Sequence, residues 1–98
     1  MKLEPADKEL KSLITKLLTN YRLFFSKDGV LNSEGRKLFE NIARIVLREH
    51  PERKEIISKV RKKPTIDNII KVATIYVDED EVYELLNSNY KEFQHNSH

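Results

Sequence analysis

The chain has 98 residues, of which 39% are hydrophobic and 35% charged, and its formal net charge is +2. This length suits one domain with a single core, and the apolar fraction is too high for a disordered chain. The absence of cysteine excludes a disulfide framework and a thiolate zinc site, and no apolar run is long enough for a membrane span. We therefore expect one domain, residues 1–98, of a cytoplasmic protein that is neither secreted nor membrane-bound. Frequent Lys, Glu and Ile beside only two glycines favour a thermophilic source.

The first predicted helix covers residues 5–25. Apolar residues recur along it at spacings of three and four, which is the pattern of an amphipathic helix. Pro5 suits a first helical position, and the carboxylate of Asp7 suits the positive end of the helix dipole. The sequence 26–29 ends with Asp-Gly, which favours a turn and therefore ends the helix.

The second and third predicted helices cover residues 33–50 and 51–62. Ser33 is a suitable N-cap for the second helix, and Pro51 disfavours helical geometry in the residue before it. The second helix has a wide apolar stripe, so we expect it at the centre of the bundle. The third has a thin apolar face, which predicts a peripheral helix whose other side chains are exposed. That thin face consists of Ile56, Ile57 and Val60.

Residues 65–77 fit two kinds of secondary structure. Their many β-branched side chains favour a strand, whereas their apolar spacing also satisfies the helical pattern, with Thr65 as the cap. No second strand candidate exists in the chain, and a lone strand would leave its backbone groups unpaired. We therefore predict a buried helix, and a strand only if a partner chain supplies the rest of the sheet.

The last predicted helix covers residues 78–93, followed by a frayed tail at residues 94–98. Asp78 and Glu81 have the spacing of a capping box, which explains the acidic run at this helix start. The overall prediction is an all-α fold, a small compact bundle of four to five helices in a single domain.

Charge is distributed unevenly along the chain. Between residues 44 and 63 there are eight basic residues against three acidic ones, whereas from residue 71 onward there are two basic residues against six acidic ones. The basic residues lie on and beside the predicted peripheral helix, where several can face phosphates together. The alternative is a solvated face held by pairs such as Glu55 with Lys59, spaced i, i+4. The candidate nucleic-acid or partner-binding residues are Arg44, Arg48, Arg53, Lys54, Lys59, Arg61, Lys62 and Lys63.

Two aromatic residues, Phe25 and Tyr83, lie off the tightest apolar stripes. Either is a candidate exposed anchor for a protein partner. The other aromatic side chains fall on the stripes and are predicted to be core, which argues against a stacking platform for single strands. They are Tyr21, Phe24, Phe39, Tyr76, Tyr90 and Phe93.

No pattern in the chain indicates catalysis, a cofactor or a metal site. A nucleophile paired with a base, a glycine-rich phosphate loop and metal-ligand spacing are all missing from the sequence. We therefore expect no catalytic residue, no cofactor and no bound metal.

Three functional hypotheses follow. The first is a non-catalytic accessory subunit that docks on a larger protein complex handling nucleic acid, with its basic helix near phosphates. The second is a stand-alone DNA- or RNA-binding protein without sequence specificity. The third is a small metal-assisted hydrolase, which rests only on the acidic run 78–81. A homo-oligomer is compatible with each of them.

Overall fold

A computed structural model describes residues 5–96, and the side chains of residues 6–88, as helices joined by short connections. This confirms the predicted all-α fold. Residues 5–96 contain six α-helices instead of the predicted four to five, because the first predicted helix is divided in two. The helices are α1 (Pro5–Thr19), α2 (Tyr21–Phe24), α3 (Ser33–Glu49), α4 (Lys54–Lys62), α5 (Ile66–Tyr76) and α6 (Glu79–Asn96), and a 3-10 turn, Pro51–Arg53, precedes α4.

Helix α3 contributes more buried residues than any other helix, as its apolar stripe predicts. It packs against α1, α2 and the 3-10 turn, while α6 and α5 pack against α1 and against each other. The side chains of Leu10, Ile42 and Val82, from α1, α3 and α6, are almost completely buried in one shared core. The bundle is therefore organised around α1 and α3.

The first predicted helix is interrupted at Asn20, so its prediction as one helix over residues 5–25 is wrong. Asn20 has φ −112° and ψ 42°, and its side-chain amide donates to the Lys16 carbonyl at 2.8 Å. Asparagine competes in this way with the helical backbone, which explains why α1 ends before it. The chain then forms the single turn α2 before Phe25 becomes extended and pairs with Leu31.

The connection between α2 and α3 depends on both glycines. Gly29 has φ +75°, a backbone conformation that side chains disfavour. A Cβ atom at Gly35 would overlap the backbone oxygen of Phe24, so the first turn of α3 can approach α2 only with glycine here. The N-cap is Asn32 rather than the predicted Ser33: its side chain accepts from the Gly35 amide at 2.8 Å.

Helix α4 is peripheral, as its thin apolar face predicts. Ile57 and Val60 are completely buried, Ile56 is half-buried, and the other residues of α4 are exposed. Helix α4 packs against α5 and the 3-10 turn. Its side toward α3 is therefore open enough to form a groove.

The ambiguous segment is helical. It forms α5, whose N-cap is Thr65, as predicted, with the Thr65 hydroxyl accepting from the Asn68 amide at 3.3 Å. Ile69, Val72 and Ala73 lie on its buried face. The alternative of an intermolecular strand is therefore wrong for this structure.

Helix α6 begins at Glu79, one residue after Asp78. Three acidic residues occupy its first turn, where the helix dipole favours negative charge. Residues 94–96 of the predicted tail belong to this helix, and residues 97 and 98 lie outside the described residues. Within residues 5–96, every helix is too short or too polar to cross a bilayer.

Candidate functional site

A groove separates the outer faces of α3 and α4, and we call it the α3–α4 groove. Lys54, Ser58 and Arg61 share one face of α4 because their spacing is i, i+4, i+7. They face the C-terminal half of α3 across a cavity of about 430 Å³. The residues lining this cavity are Leu47, Pro51, Lys54, Ser58 and Arg61, so its floor is apolar and its wall basic.

One ion pair joins the two helices across the end of the α3–α4 groove. The guanidinium of Arg61 donates twice to the Glu40 carboxylate, from Nε at 3.1 Å and from Nη2 at 2.8 Å. This two-pronged hydrogen bond lowers the pKa of Glu40 and raises the pKa of Arg61. Partial burial acts in the opposite direction on each group, but its effect is smaller than that of the hydrogen bond. Nearby Arg44 lowers the pKa of Glu40 further. Arg44 follows Glu40 by four residues on α3, on the same face of the helix.

Arg36 also belongs to this basic surface, although it is not among the residues predicted for it. Arg36 lines a second cavity, of about 230 Å³, on the other side of the Glu40–Arg61 pair. Arg36, Arg44 and Arg48 stand at multiples of four residues along α3, with Glu40 between the first two. That i+4 repetition was visible in the sequence, but Arg36 lay outside the segment of highest charge. The surface beside the α3–α4 groove thus extends along most of α3.

The remaining predicted basic residues differ in how they are paired. Arg48 contacts the neighbouring Glu49 at 3.1 Å. Four lysines of the set are exposed and have no ion pair with any residue between 6 and 88. They are Lys54, Lys59, Lys62 and Lys63. The predicted alternative pair of Glu55 with Lys59 is not formed among these contacts, so the charge of α4 is largely uncompensated.

Arg53 points away from the groove into a separate cavity of about 220 Å³, which we call the α1–α5 pocket. Its Nη1 donates to the Tyr76 hydroxyl at 2.6 Å, and its Cζ lies 5.3 Å from the centre of the Tyr76 ring. Burial raises the pKa of the Tyr76 phenol, which the hydrogen bond from Arg53 opposes. The pocket is lined by Asp7, Lys11, His50, Arg53, Ile75 and Tyr76.

The two predicted aromatic anchors have opposite exposures. Tyr83 is 48% exposed and remains available to a partner. The interpretation of Phe25 as an exposed anchor is wrong, because Phe25 is 4% exposed and its ring stacks on Tyr21 at 4.6 Å between centroids. The break at Asn20 changes the direction of the chain, so the helical spacing that placed Phe25 outside does not apply. Leu23, which the stripe analysis did not single out, is 62% exposed.

The acidic start of α6 forms an ion pair with α1 through Glu81 and Lys11. Lys11 approaches Glu81 at 3.7 Å, and both side chains are partly exposed. Among the residues whose side chains are described, no three acidic or histidine side chains come together as a metal site would require. His50 contacts Glu52 at 3.4 Å through Nδ1.

Comparisons with other proteins add no relative to this geometry. No protein-family model, curated protein or solved structure matches the chain.

Proposed function

We propose that the protein is a non-catalytic accessory protein that binds the phosphate backbone of nucleic acid along the α3–α4 groove. The observation that carries the proposal is the lining of this groove, in which the described residues include Lys54 and Arg61 and no carboxylate. Phosphate contacts of this kind supply affinity without sequence specificity.

The arrangement also favours more than one phosphate at a time. Arg36 and Arg48 lie three helical turns apart on α3, which is about 18 Å along the helix axis. Lys59 and Lys62 add uncompensated charge on α4. A row of cations of this length matches a run of several phosphates rather than a single small anion.

A salt titration tests the proposal. Fluorescence anisotropy of labelled single-stranded and duplex DNA and RNA is measured with the wild-type chain and with the triple variant Arg44→Gln, Lys54→Gln, Arg61→Gln. Each lost contact with a single strand should lower the salt slope by about 0.7, so the triple variant should lose about 2 in slope and bind at least roughly tenfold more weakly.

The matched control is Lys8→Gln, Lys16→Gln, Lys27→Gln, which removes the same charge from exposed positions outside the groove. This control should retain most of the wild-type affinity. The proposal fails if no nucleic acid binds even at low ionic strength, or if both triple variants lose affinity equally.

A second function, docking on a larger protein complex, is favoured by Tyr83. Tyr83 is half-exposed on α6, next to the exposed carboxylate of Glu84. Exposed Glu79 and Asp80 precede Tyr83 by four and three residues and so share its face of α6, and an amphipathic aromatic beside acidic groups suits a basic partner surface. Affinity purification from the native cell should recover a partner with the wild-type chain and lose it with Tyr83→Ala, while Leu23→Ala serves as the matched control.

A further inference from the structure

The α1–α5 pocket is lined by charged groups of both signs, unlike the α3–α4 groove, whose two described charged lining residues are both basic. Asp7 supplies a carboxylate, whereas Lys11 and Arg53 supply cationic donors. Glu52 and Glu81 lie just outside, in contact with His50 and Lys11 respectively. This balance disfavours a phosphate, which needs a clear excess of positive charge. It favours a ligand that presents donors at one edge and acceptors at another.

The donor side of the pocket is held in a fixed orientation. Arg53 is fastened to Tyr76 twice, by the 2.6 Å hydrogen bond and by the position of its guanidinium over the ring. The hydrogen bond uses Nη1, which leaves other N–H groups of the fork for a ligand. Preorganisation of this kind reduces the entropy cost of binding.

The pocket also has an apolar wall and a defined size. Ile75 lies at its edge and is 38% exposed, although it is a large hydrophobic residue at the end of α5. The cavity of about 220 Å³ is near the lower limit of ligand sites, which suits one flat ring system rather than a chain of groups.

The pocket and the α3–α4 groove meet at the 3-10 turn. Pro51 lines the groove and Arg53 lines the pocket, so only Glu52 separates them along the chain and their Cα atoms are no more than about 8 Å apart. A base of a strand held in the groove therefore has only this turn to cross before it reaches the pocket.

We propose that the α1–α5 pocket binds an unpaired guanine base of a strand held in the α3–α4 groove. Guanine presents O6 and N7 as adjacent acceptors, to which arginine or lysine donates in the commonest specific base contact. Its N1–H and N2–H₂ donors face the other way, where Asp7 can accept them. Ile75 covers the face of the ring. This assignment rests on the proposed function, because the groove is what delivers the base.

The direct test uses base analogues. Anisotropy compares an oligothymidine with the same strand carrying one central guanine, one inosine, which lacks the N2 amine, or one 7-deazaguanine, which lacks the N7 acceptor. The guanine strand should bind about tenfold more tightly than oligothymidine, and each analogue should lose much of that gain.

Two variants assign the contacts to residues. Asp7→Asn should remove the preference for guanine over inosine, while Glu9→Gln, an exposed carboxylate on the same helix, should preserve it. Tyr76 is a positioning residue that acts through Arg53. Tyr76→Phe keeps the ring but loses the hydrogen bond, so it should reduce the discrimination against 7-deazaguanine and leave the discrimination against inosine intact.

Titration of the protein with guanosine monophosphate, followed by NMR, separates the two proposals. Chemical-shift changes at residues of the pocket, together with tighter binding of the guanine strand, support both. Equal affinity for all four strands without such changes overturns the guanine site and leaves groove binding intact. Changes in the pocket without binding of any strand overturn the proposed function and the delivery of the base by a strand, and leave a pocket for the free nucleotide only.

Discussion

The α3–α4 groove and the α1–α5 pocket lie on either side of one three-residue turn, yet their charges are arranged differently. The groove is lined by apolar Leu47 and Pro51 and by basic Lys54 and Arg61, and the carboxylate of Glu40 at its end is already engaged by Arg61. The pocket brings Asp7 and Lys11, which share one face of α1 at spacing i, i+4, together with Arg53 from the 3-10 turn. A surface that is only positively charged attracts phosphates whatever the base sequence, whereas a small cavity lined by both positive and negative groups can distinguish one base from another. Affinity and selectivity are thus assigned to adjacent but separate surfaces.

The largest expected effect is on the stability of the bundle that carries both surfaces. Gly35→Ala places a Cβ atom against the Phe24 oxygen and 2.9 Å from Leu31 Cδ2, so α3 must move. We expect the free energy of unfolding to fall by about 4 kcal/mol or more, in the range reserved for severe core disruption. Urea denaturation measures it. If Gly35→Ala were no more destabilising than an exposed substitution such as Ser33→Ala, the close packing of α2 on α3 would be contradicted.

The next largest expected effect is the loosening of α4, which forms one side of the groove but does not line the pocket. Ile57→Ala removes one of only two completely buried side chains of α4, and we expect a loss of about 3 kcal/mol. Hydrogen exchange should show lower protection in α4 than in α1, because α4 is attached by little else. The half-buried neighbour Ile56 is the matched control, and Ile56→Ala should cost clearly less. Equal losses of protection in α4 and α1 would contradict the expectation that α4 can open locally without the rest of the bundle.

A smaller effect changes the charge of the groove alone. Glu40→Gln removes the carboxylate that occupies Nε and Nη2 of Arg61, so the whole guanidinium and not only Nη1 can donate to phosphate. Nucleic-acid affinity at low salt should rise about threefold, with the preference for guanine unchanged. Glu34→Gln is the matched control, since Glu34 pairs with Lys37 at 3.2 Å on the same helix. A fall in affinity would show that the Glu40–Arg61 pair supports the groove rather than competing with phosphate.

The smallest effect is the pH dependence of that ion pair. Because the folded-state pKa of Glu40 lies below its ordinary value of 4.5, its stabilisation is complete above 4.5 and is lost as the pH falls through the lower folded-state value. The side chains of Glu40 and Arg61 are 49% and 46% exposed, so we expect only a few tenths of a kcal/mol, about the value of exposed pairs. The difference in unfolding free energy between wild type and Glu40→Gln should shrink from pH 7 to pH 3. A difference that stayed constant would contradict the assignment.

The helices could be predicted where a signal is local. Thr65 and Pro64 mark the start of α5 in the sequence, and the thin face of Ile57 and Val60 identifies α4 as peripheral. The break at Asn20 could not be predicted in the same way, because its consequence depends on Phe25 turning to pair with Leu31. Periodicity assumes an uninterrupted helix, which explains both the wrong boundary and the wrong exposure of Phe25.

The candidate site was only partly predictable. The sequence indicates a basic segment, but it does not show that Arg61 reaches Glu40, twenty-one residues away, while Arg53 turns to Tyr76, twenty-three residues away. These partners are brought together by the packing of three helices. The division of one basic segment between two surfaces is therefore a tertiary property, and so is the inclusion of Asp7 from the start of the chain.

The two ends of the segment that contains α3 and α4, residues 31–64, lie next to each other, which has a consequence for protein engineering. The Leu31 amide donates to the Pro64 carbonyl at 2.9 Å, and the Ile66 amide donates to the Gly29 carbonyl at 2.8 Å. The segment between residues 31 and 64 therefore leaves and rejoins the rest of the protein at adjacent points, as inserted domains do. It contains the whole groove. Transplanted into a surface turn of a host that offers apolar faces in place of α1, α2 and α5, this segment should carry the groove with it.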